Sequence, residues 1–253
     1  MELLHFTGQV WRPPYEASSQ LLQVTAGCTH SKCKFCSLYH GTKFRLSPIA
    51  EVEEDLKVIQ SYQPKARRVF LTGANPFVLS YNRLLDLGLL IRKYLRYCES
   101  IGMFSRISDI KSKTVEELQN LRHLGFDSIS IGTESGDDNT LAMMNKGYTA
   151  NDIIEQCKKL EEANIRYNFV YLTGLAGRNK GEQNAVNTAA NGDANATAES
   201  PTQTTPRRRA RLGTSSDSNI KAAQILEAVK YLHDSVDSLN KNSNLDETNK
   251  RIC

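Results

Sequence analysis

The sequence contains no run of apolar residues long enough to cross a membrane. Nowhere in its 253 residues does an apolar stretch approach the roughly 18 residues that a spanning helix requires. The first residues, Met1 to Trp11, also lack the basic region followed by an apolar stretch that marks a secretory signal. We therefore expect a soluble, cytoplasmic protein without a signal peptide.

The sequence has neither a large excess of one charge nor many cysteines. The 32 Lys and Arg residues oppose 28 Asp and Glu residues, and this net charge of +4 is too small and too dispersed to indicate a nucleic-acid partner by itself. Six cysteines are too few for a disulfide scaffold in a chain of 253 residues. With 40% hydrophobic and 24% charged residues, the composition excludes a collagen-like, mucin-like or wholly disordered chain.

Up to about residue 175, short apolar runs rich in β-forming residues alternate with longer stretches of helical periodicity. This alternation predicts an α/β fold, a partial TIM-like (β/α) barrel of parallel strands joined by helices. The five predicted strands are Leu21–Ala26, Val69–Thr72, Met103–Ile107, Ser128–Thr133 and Asn168–Leu172. No sixth strand is evident, although Gly181–Ala190 has the pattern of a fifth helix.

Residues that start and stop helices support the predicted connections. They are Ser47 before Pro48, the capping-box pair Thr114 and Glu117, Thr149, and the terminating Gly125. Cys157 falls on the apolar stripe of the helix after Thr149, so we expect it to be packed in the core, as we expect of Cys98.

The composition changes abruptly after about residue 190. Residues 190–218 contain Leu212 as their one large aliphatic side chain and no aromatic side chain, so they cannot bury enough surface to offset their chain entropy. We predict a partial barrel at 1–189, a disordered basic linker at 190–218, and an amphipathic helix with a polar tail at 219–253. The basic run Arg207–Arg211 is typical of a solvated segment and suggests a nucleic-acid partner only weakly.

Polar or glycine-rich residues follow each predicted strand. In a barrel of this kind the functional residues lie at the carboxyl ends of the strands, where the loops line one face. The five strand ends are Gly27–Cys36, Gly73–Pro76, Ser108–Asp109, Glu134–Gly136 and Thr173–Gly174. Connecting loops are usually polar in any case, so these positions support a site at this end of the barrel without proving it.

The sharpest signal is the segment after the first strand, where Cys28, Cys33 and Cys36 are separated by four and two residues. Thiolates are soft ligands for zinc or for an iron–sulfur cluster, and this spacing lets three sulfurs converge from one loop. Structural zinc needs a fourth ligand, which His30 or His40 would supply. A four-iron cluster with three protein ligands keeps one iron free for a substrate or cofactor. Spacing alone leaves both alternatives open.

A cysteine segment that ends in Cys33-Lys-Phe-Cys36 resembles the radical S-adenosylmethionine (radical SAM) superfamily, in which an aromatic residue commonly precedes the third cysteine. Further motifs resemble it in the same order, namely Gly73-Ala74-Asn75-Pro76, Ile131–Gly136 followed by Met144, Lys146 and Gly147, and Tyr171–Leu175. The matches extend over about residues 20–177 and are similar to elongator-type, methylthiotransferase-like and coproporphyrinogen-dehydrogenase-like members. The superfamily usually has three residues between its first two cysteines, so the four found here are a variant spacing.

The resemblance implies a [4Fe–4S] cluster on Cys28, Cys33 and Cys36, with S-adenosylmethionine on its free iron and an external one-electron reductant of the flavodoxin or ferredoxin type. Reductive cleavage of S-adenosylmethionine would give a 5′-deoxyadenosyl radical that abstracts hydrogen from an unknown substrate. The cofactor-binding positions it implies are Phe35 at the adenine, the motif of Gly73, Ala74 and Asn75 at the methionine amino group, Ser108 at the ribose, Glu134 at the ribose or ammonium, and Lys146 at the carboxylate.

Two hypotheses from different classes follow. The ordered motifs favour a radical SAM enzyme of unknown substrate. The missing sixth strand favours a catalytically incomplete barrel that keeps an iron–sulfur cluster or zinc and acts as a binding or partner module. RNA modification is a third hypothesis, which rests on the basic run Arg207–Arg211.

Overall fold

Five parallel strands form the main sheet of the computed structural model, which describes residues 4–177 and 180–196. The strands of the chain are β1 (Gln20–Gln23), β2 (Thr25–Ala26), β3 (Arg45–Leu46), β4 (Arg68–Thr72), β5 (Ser100–Ser105), β6 (Phe126–Glu134) and β7 (Arg166–Tyr171). The main sheet has the order β1-β4-β5-β6-β7, and its pairings are all parallel. The predicted α/β fold with five parallel strands is confirmed. Within the described ranges no pairing joins β1 to β7, so the sheet is open.

The first strand is shorter than predicted. Instead of one strand over Leu21–Ala26, the main-sheet strand ends at Gln23, and β2 pairs antiparallel with β3 in a separate two-stranded sheet. The change of partner occurs at Val24, whose N–H donates to the Thr72 carbonyl while its own carbonyl accepts the Ser47 N–H. This switch takes the cysteine segment out of the main sheet and over its carboxyl end.

Helices connect the neighbouring strands of the main sheet. They are α1 (Ile49–Tyr62), α2 (Tyr81–Tyr94), α3 (Ile107–Lys111), α4 (Val115–His123), α5 (Asp138–Met143), α6 (Ala150–Glu162) and, after β7, α7 (Gly181–Ala196). The capping boxes predicted at Thr114 and Thr149 are confirmed, and Gly125 ends α4 with a φ of +101°. The prediction that Ser47 caps α1 is wrong, because Pro48 occupies the N-cap position and no side chain caps it.

One face of the sheet packs against the helices. The strand register aligns Leu22, Leu71, Met103 and Ile129 in a row across four strands, and each is at most 1% exposed. They belong to the hydrophobic core that the helices complete, and Cys98 and Cys157 lie in that core as predicted. The opposite face carries small and polar residues on β5, β6 and β7, namely Gly102, Ser128, Ser130 and Asn168.

The residues before β1 close the amino end of the sheet. Glu16 is 1% exposed, and its carboxylate pairs with the guanidinium of Arg68, which raises the pKa of Arg68. Tyr15 bonds to the Ser130 hydroxyl on β6. These residues help to line a polar cavity of about 260 Å³ at this end. The cavity lies at the opposite end of the strands from the cysteine segment.

His5 fastens the N-terminal segment to α1. Its backbone N–H and its Nδ1 lie 2.9 and 2.8 Å from Asp55 Oδ1, and its Nε2 lies 3.7 Å from Glu54 Oε2. The hydrogen bond to Asp55 raises the pKa of His5 above its ordinary value of 6.5. The charged imidazole therefore stabilises the folded state fully below pH 6.5, and this contribution is lost as the pH rises through the raised pKa.

We expect His5→Gln to lower the melting temperature more at about pH 6 than at about pH 8, because only the lower pH retains the charged pair in the wild type. Thermal unfolding of both proteins at both pH values measures the difference. An equal difference at the two pH values would contradict the ion pair as its source.

The predicted domain division is only partly described by the structure. Helix α7 extends to Ala196, so residues 190–196, which we expected in the linker, are helical. The rest of the predicted linker, with Arg207–Arg211, and the predicted helix and polar tail at 219–253 lie outside the described residues. None of the described helices is both long and apolar enough to cross a membrane.

Candidate functional site

The cysteine segment runs from β2 to β3 and lies against the connection between α5 and α6. The Lys34 N–H donates to the Met144 carbonyl at 3.1 Å, and Asn145 Nδ2 donates to the Lys32 carbonyl at 3.1 Å. The Nε2 of His30 lies 2.6 Å from Asn145 O. These partners are more than 100 positions apart in sequence, so the shape of the segment depends on the assembled sheet.

The three thiols of the segment are free and partly exposed. Burial raises the pKa of Cys33, and the neighbouring Cys28 and Cys36 raise it further, whereas Lys146 and Arg106 lower it. The thiols therefore share one electrostatic environment with two cations. Deprotonation of all three concentrates negative charge, which these cations and a bound iron centre would offset.

The described residues contain no ready-formed site for a single metal ion such as zinc. Within the described residues, no three Cys, His, Asp or Glu side chains form a group that could hold a metal ion. A zinc ion needs its four ligands around a single centre, whereas a four-iron cluster carries its thiolate ligands on separate iron atoms. His30, one of the two predicted zinc ligands, has its Nε2 at hydrogen-bond distance from Asn145 O.

Glu134, Lys146 and Phe35 come together at the carboxyl end of β6. Lys146 Nζ donates to the Gly132 carbonyl at 2.8 Å and lies 3.6 Å from Glu134 Oε1. The same ammonium lies over the rings of Phe35 and Tyr148, 5.5 and 5.4 Å from their centroids. Burial raises the pKa of Glu134 and lowers that of Lys146, while the opposite charge of each partner favours the ion pair.

Two buried polar atoms in this group have no hydrogen-bond partner in the described part of the chain. They are Glu134 Oε2 and Arg106 Nε. Arg106 is held beside the pair because its Nη2 donates to the Lys146 carbonyl at 2.5 Å. Glu134 also has a φ of +66°, a left-handed backbone that is uncommon outside glycine. A buried acceptor and a buried donor left open indicate a polar ligand, and the ammonium and carboxylate of S-adenosylmethionine match them in kind.

The glycine-rich motif after β4 packs against the start of the cysteine segment. Gly73 has a φ of +133°, and a Cβ there would lie 2.0 Å from Thr25 Oγ1 and 2.8 Å from Thr25 O. The Ala74 N–H donates to the Gly27 carbonyl at 3.4 Å. A glycine is required here because it lets the backbone of the motif approach β2, the strand directly before the cysteine segment.

We expect Gly73→Ala to lower the free energy of unfolding by about 1 to 3 kcal/mol, because the new methyl group meets the Thr25 backbone at a φ that suits glycine. Gly41→Ala is the matched control, since Gly41 also has a left-handed φ, +79°, but no atom lies within 4 Å of its Cβ position. Urea unfolding compares the two variants. Equal losses would mean that the close approach to Thr25 contributes nothing.

Asn75 is fully buried and joins the cysteine segment to α3. Its Nδ2 donates to Thr29 Oγ1 at 2.7 Å and to Asp109 Oδ2 at 3.0 Å, and its Oδ1 accepts the Thr29 N–H at 3.3 Å. Asp109 Oδ2 also accepts the Arg106 N–H at 2.8 Å, and burial raises the pKa of Asp109. Both amide hydrogens of Asn75 are therefore used within the protein, next to Cys28. Its contact with a cofactor stays a prediction.

Ser108 lies apart from this group. The predicted strand Met103–Ile107 ends at Ser105 in the structure, because α3 begins at Ile107, where the Asp109 carboxylate accepts the Arg106 backbone N–H. Ser108 is consequently an exposed residue of a short helix. Its predicted contact with the ribose stays a prediction.

Sequence analysis assigned no role to three residues of the site, Arg106, Asp109 and Tyr148, although Asp109 was among the polar residues that follow the third strand. Tyr148 donates its hydroxyl to the Gly132 carbonyl at 2.7 Å, and burial raises its pKa. An acidic residue in the first turn of a helix that starts directly after a strand is the signal that would have found Asp109. No pattern in the sequence separates Tyr148 from an ordinary core aromatic.

Helix α7 supports the turn that follows β6 with a row of polar side chains. The Ser135 hydroxyl donates to Asn184 Oδ1. The Gly136 N–H donates to Thr188 Oγ1 at 2.9 Å, and the Gly136 carbonyl accepts a hydrogen bond from Asn191 Nδ2 at 2.7 Å. A Cβ on Gly136 would lie 2.9 Å from Thr188 Cα. The turn and the helix therefore fit closely, and the carboxyl end of β6 is held from the far end of the described chain.

Known proteins share the fold that carries this site. A family model described as the radical SAM superfamily matches residues 22–189, a range that contains every site residue described above except Asn191 of α7. Among curated proteins, the chain is similar to the heme chaperone HemW of Bacillus subtilis (strain 168), with 23% identity over 177 residues. The match covers 66% of this chain and 46% of HemW, so the chain spans less than half of that relative.

Among solved structures, the chain is similar to the cobalamin-dependent S-adenosylmethionine radical enzyme OxsB. The TM-score is 0.58 and the identity 16%, over 86% of this chain and 31% of that chain. Coproporphyrinogen III oxidase (HemN) from Escherichia coli, described as a radical SAM enzyme, is similar with a TM-score of 0.51 and 14% identity, over 69% and 41% of the two chains. At identities this low, the similarity shows a shared fold and does not extend to a shared reaction. The finer resemblance to elongator-type and methylthiotransferase-like members stays a prediction.

Proposed function

The chain belongs to the radical SAM superfamily, and we propose that it is an enzyme that cleaves S-adenosylmethionine reductively to start radical chemistry on a substrate still to be identified. Members of the superfamily bind a [4Fe–4S] cluster and S-adenosylmethionine, and they generally need an external reductant. When bound, these two cofactors together supply a carbon radical that removes a hydrogen atom from the substrate. The observation that carries the proposal is the convergence of Cys33, Arg106, Glu134 and Lys146, with two buried polar atoms left open.

The thiols of Cys28, Cys33 and Cys36 would hold the cluster. Burial raises the pKa of Cys33, and Lys146 and Arg106 oppose this rise, so the two cations favour the thiolate that a metal requires. The bonds to the Met144 carbonyl and to the Asn145 side chain support the backbone of the segment that carries these thiols.

The residues around the thiols would orient S-adenosylmethionine. Glu134 Oε2 is an open acceptor for an ammonium or a ribose hydroxyl, and Lys146 has protons beyond the one it donates to the Gly132 carbonyl. Phe35 offers a ring for the adenine. The close packing of Gly73 on Thr25 keeps the Gly73–Asn75 motif, which the resemblance assigns to the methionine amino group, beside the cysteine segment. Burial of these groups strengthens their interactions and excludes water from the site.

The test is anaerobic reconstitution of the full chain with iron and sulfide, then reduction with dithionite in the presence of S-adenosylmethionine. We expect the absorbance of an iron–sulfur cluster and formation of 5′-deoxyadenosine, measured by liquid chromatography with mass spectrometry. A cluster that forms without production of 5′-deoxyadenosine would contradict the proposed enzymatic function. A colourless protein that holds zinc contradicts the ligand assignment as well.

We expect Glu134→Gln to weaken the binding of S-adenosylmethionine about tenfold, since it removes one hydrogen bond to a charged acceptor. The same change leaves the buried ammonium of Lys146 without its ion-pair partner, so the variant should also be less stable than the wild type. Glu116→Gln, at an exposed position of α4, is the control and should change neither property. Calorimetric titration of the reconstituted protein measures the affinity. Loss of stability with unchanged affinity would assign Glu134 a structural role.

A second candidate is a binding protein that keeps the cluster without turning over a substrate. The curated relative described as a heme chaperone favours it, as does the open sheet of the described residues. The reconstitution experiment separates the two candidates, because this one predicts a cluster that does not cleave S-adenosylmethionine.

A further inference from the structure

Lys113 carries a buried ammonium that the candidate site does not include. It follows α3, and the residue is only 2% exposed. Its Nζ donates to the Phe77 carbonyl at 2.7 Å, to the Asp109 carbonyl at 3.1 Å and to Ser112 Oγ at 3.4 Å. The same ammonium lies over the Phe77 ring, 4.5 Å from its centroid. In the part of the chain that the structure describes, these partners are neutral oxygens and a ring rather than a carboxylate.

The two carbonyls that Lys113 binds belong to different elements. Phe77 lies in the 3₁₀ turn Pro76–Val78, which continues the glycine-rich motif after β4. Asp109 lies in α3, and its carboxylate accepts the Asn75 amide at 3.0 Å. The turn and α3 are therefore joined twice, once through Asn75 and once through Lys113.

Packing alone does not account for an ammonium at this position. Burial lowers the pKa of Lys113 to about 8, because the charged form loses its water. Asp109 of α3 and Glu117 of α4 favour the charged form, and Lys159 of α6 opposes it. The charge therefore costs the folded protein free energy that an apolar side chain of similar length would not. What the ammonium adds is direction, since its three protons can bind acceptors on two elements.

We propose that Lys113 is a positioning residue that holds the glycine-rich motif in the orientation for S-adenosylmethionine. The inference rests on the proposed function, in which this motif binds the methionine amino group. The ammonium fixes the turn that ends the motif against α3, which places Asp109 beside Asn75. Because Arg106 directly precedes α3 and donates to the Lys146 carbonyl, the same bonds also support one side of the site.

The test removes the ammonium while nearly keeping the length of the side chain. Lys113→Met keeps an apolar stem and loses every donor, whereas Lys113→Arg is the conservative variant that keeps the charge and the donors. Lys159→Met is the matched control, because Lys159 Nζ also donates to α3 carbonyls, those of Ile110 at 3.2 Å and Lys111 at 3.5 Å. Its hydrogen bonds within the described residues do not include the turn.

The first readout is amide hydrogen exchange of the full chain before reconstitution, measured by mass spectrometry on peptides that cover residues 73–79. The turn is closed by two backbone hydrogen bonds, from the Val78 N–H to the Asn75 carbonyl and from the Leu79 N–H to the Pro76 carbonyl. Opening of the turn exposes both amides to exchange, so the measurement reports the turn without any cofactor.

We expect Lys113→Met to speed this exchange by at least about tenfold and Lys159→Met by less than about twofold. Lys113→Arg should restore part of the protection, because it offers donors to both elements. Equal acceleration in the two methionine variants would overturn the proposal, since it would reflect a general loss of stability. Unchanged exchange in Lys113→Met would also overturn it.

The second readout is the affinity for S-adenosylmethionine, measured by calorimetry at equal iron content on the reconstituted proteins. Changing a residue that supports a ligand commonly costs about 10- to 100-fold, so Lys113→Met should weaken binding at least about tenfold and Lys159→Met less than about twofold. Faster exchange with wild-type affinity would overturn the positioning role. Absence of binding in the wild type would overturn the proposed function, whereas the exchange comparison would still decide whether Lys113 holds the turn.

The pH dependence separates positioning from stability, and it does not require Lys113→Met to fold. Lys113→Arg, which keeps its charge at every pH used, is the reference. The pKa of Lys113 is about 8 in the folded state and has its ordinary value of 10.5 in the unfolded chain, so the unfolded chain holds more protons between these values. The stability of the wild type relative to Lys113→Arg should therefore rise as the pH increases from about 8 towards 10.5.

Protection of residues 73–79 should change in the opposite direction. The neutral amine makes weaker hydrogen bonds than the ammonium, so exchange in the wild type, corrected for the intrinsic rate at each pH, should gain on that of Lys113→Arg over the same range. Urea unfolding and exchange at about pH 7 and about pH 9.5 measure the two trends. A parallel rise in stability and in protection would overturn the proposal, because it would make Lys113 an ordinary buried lysine.

Discussion

Cys33→Ala is expected to abolish both the cluster and the cleavage of S-adenosylmethionine. Changing a residue that only supports a metal ligand commonly costs 10- to 100-fold in metal affinity or activity, so loss of a ligand should exceed about 100-fold. The remaining thiols, Cys28 and Cys36, are separated by seven residues and leave two iron atoms without a protein ligand. Iron and sulfide content after reconstitution, together with 5′-deoxyadenosine formation, measure the effect.

The matched control for this variant is Cys98→Ala, which removes a thiol from the core rather than from the segment. It should keep the cluster and the activity, at a cost in stability of about 1 kcal/mol. A full cluster in Cys33→Ala would contradict the ligand assignment. An incomplete cluster in Cys98→Ala would mean that general destabilisation, and not the lost ligand, explains both variants.

Asn75→Asp is expected to lower the free energy of unfolding by about 3 to 5 kcal/mol, because it places a second carboxylate beside Asp109 in a buried site. The change removes the amide donor that lies 3.0 Å from Asp109 Oδ2 and 2.7 Å from Thr29 Oγ1. Since Thr29 follows Cys28 directly, the cysteine segment loses its anchor, and iron retention should fall with stability. Chemical unfolding and iron analysis measure the two effects.

Asn82→Asp introduces the same charge at an exposed position of α2 and should change neither stability nor iron content appreciably. Equal behaviour of the two variants would remove the argument that Asn75 anchors the segment. A destabilised Asn75→Asp that still binds a full complement of iron would limit the role of Asn75 to packing.

The strands and the polar ends of the strands were predictable because they depend on local patterns. Buried strands need unbroken apolar runs, and the capping boxes at Thr114 and Thr149 need three-residue spacings, so both can be found without a structure. The three thiols were predictable for the same reason, since all three come from one short segment. Their assignment to a four-iron cluster came from resemblance, because the spacing itself is equally compatible with zinc.

The rest of the site depends on contacts between distant residues, which no local pattern contains. Asn75 and Asp109 meet across 34 positions, and the amide of Asn145 meets the Lys32 carbonyl across 113. The first strand ends at Gln23 because the next residues, in β2, pair with Arg45 and Leu46 of β3, about 20 positions further along the chain. Ser108 was chosen for its hydroxyl, whereas its neighbour Asp109 is the buried residue.

The bonds between α7 and the turn after β6 have a consequence for the order of folding during synthesis. Ser135 and Gly136 bond to residues 49 to 55 positions later in the chain, so these bonds form only after residues 184–191 have left the ribosome. Until then the end of β6, with Glu134 in its left-handed backbone, lacks the support of α7. The proposed cofactor site is consequently completed only after the sheet itself.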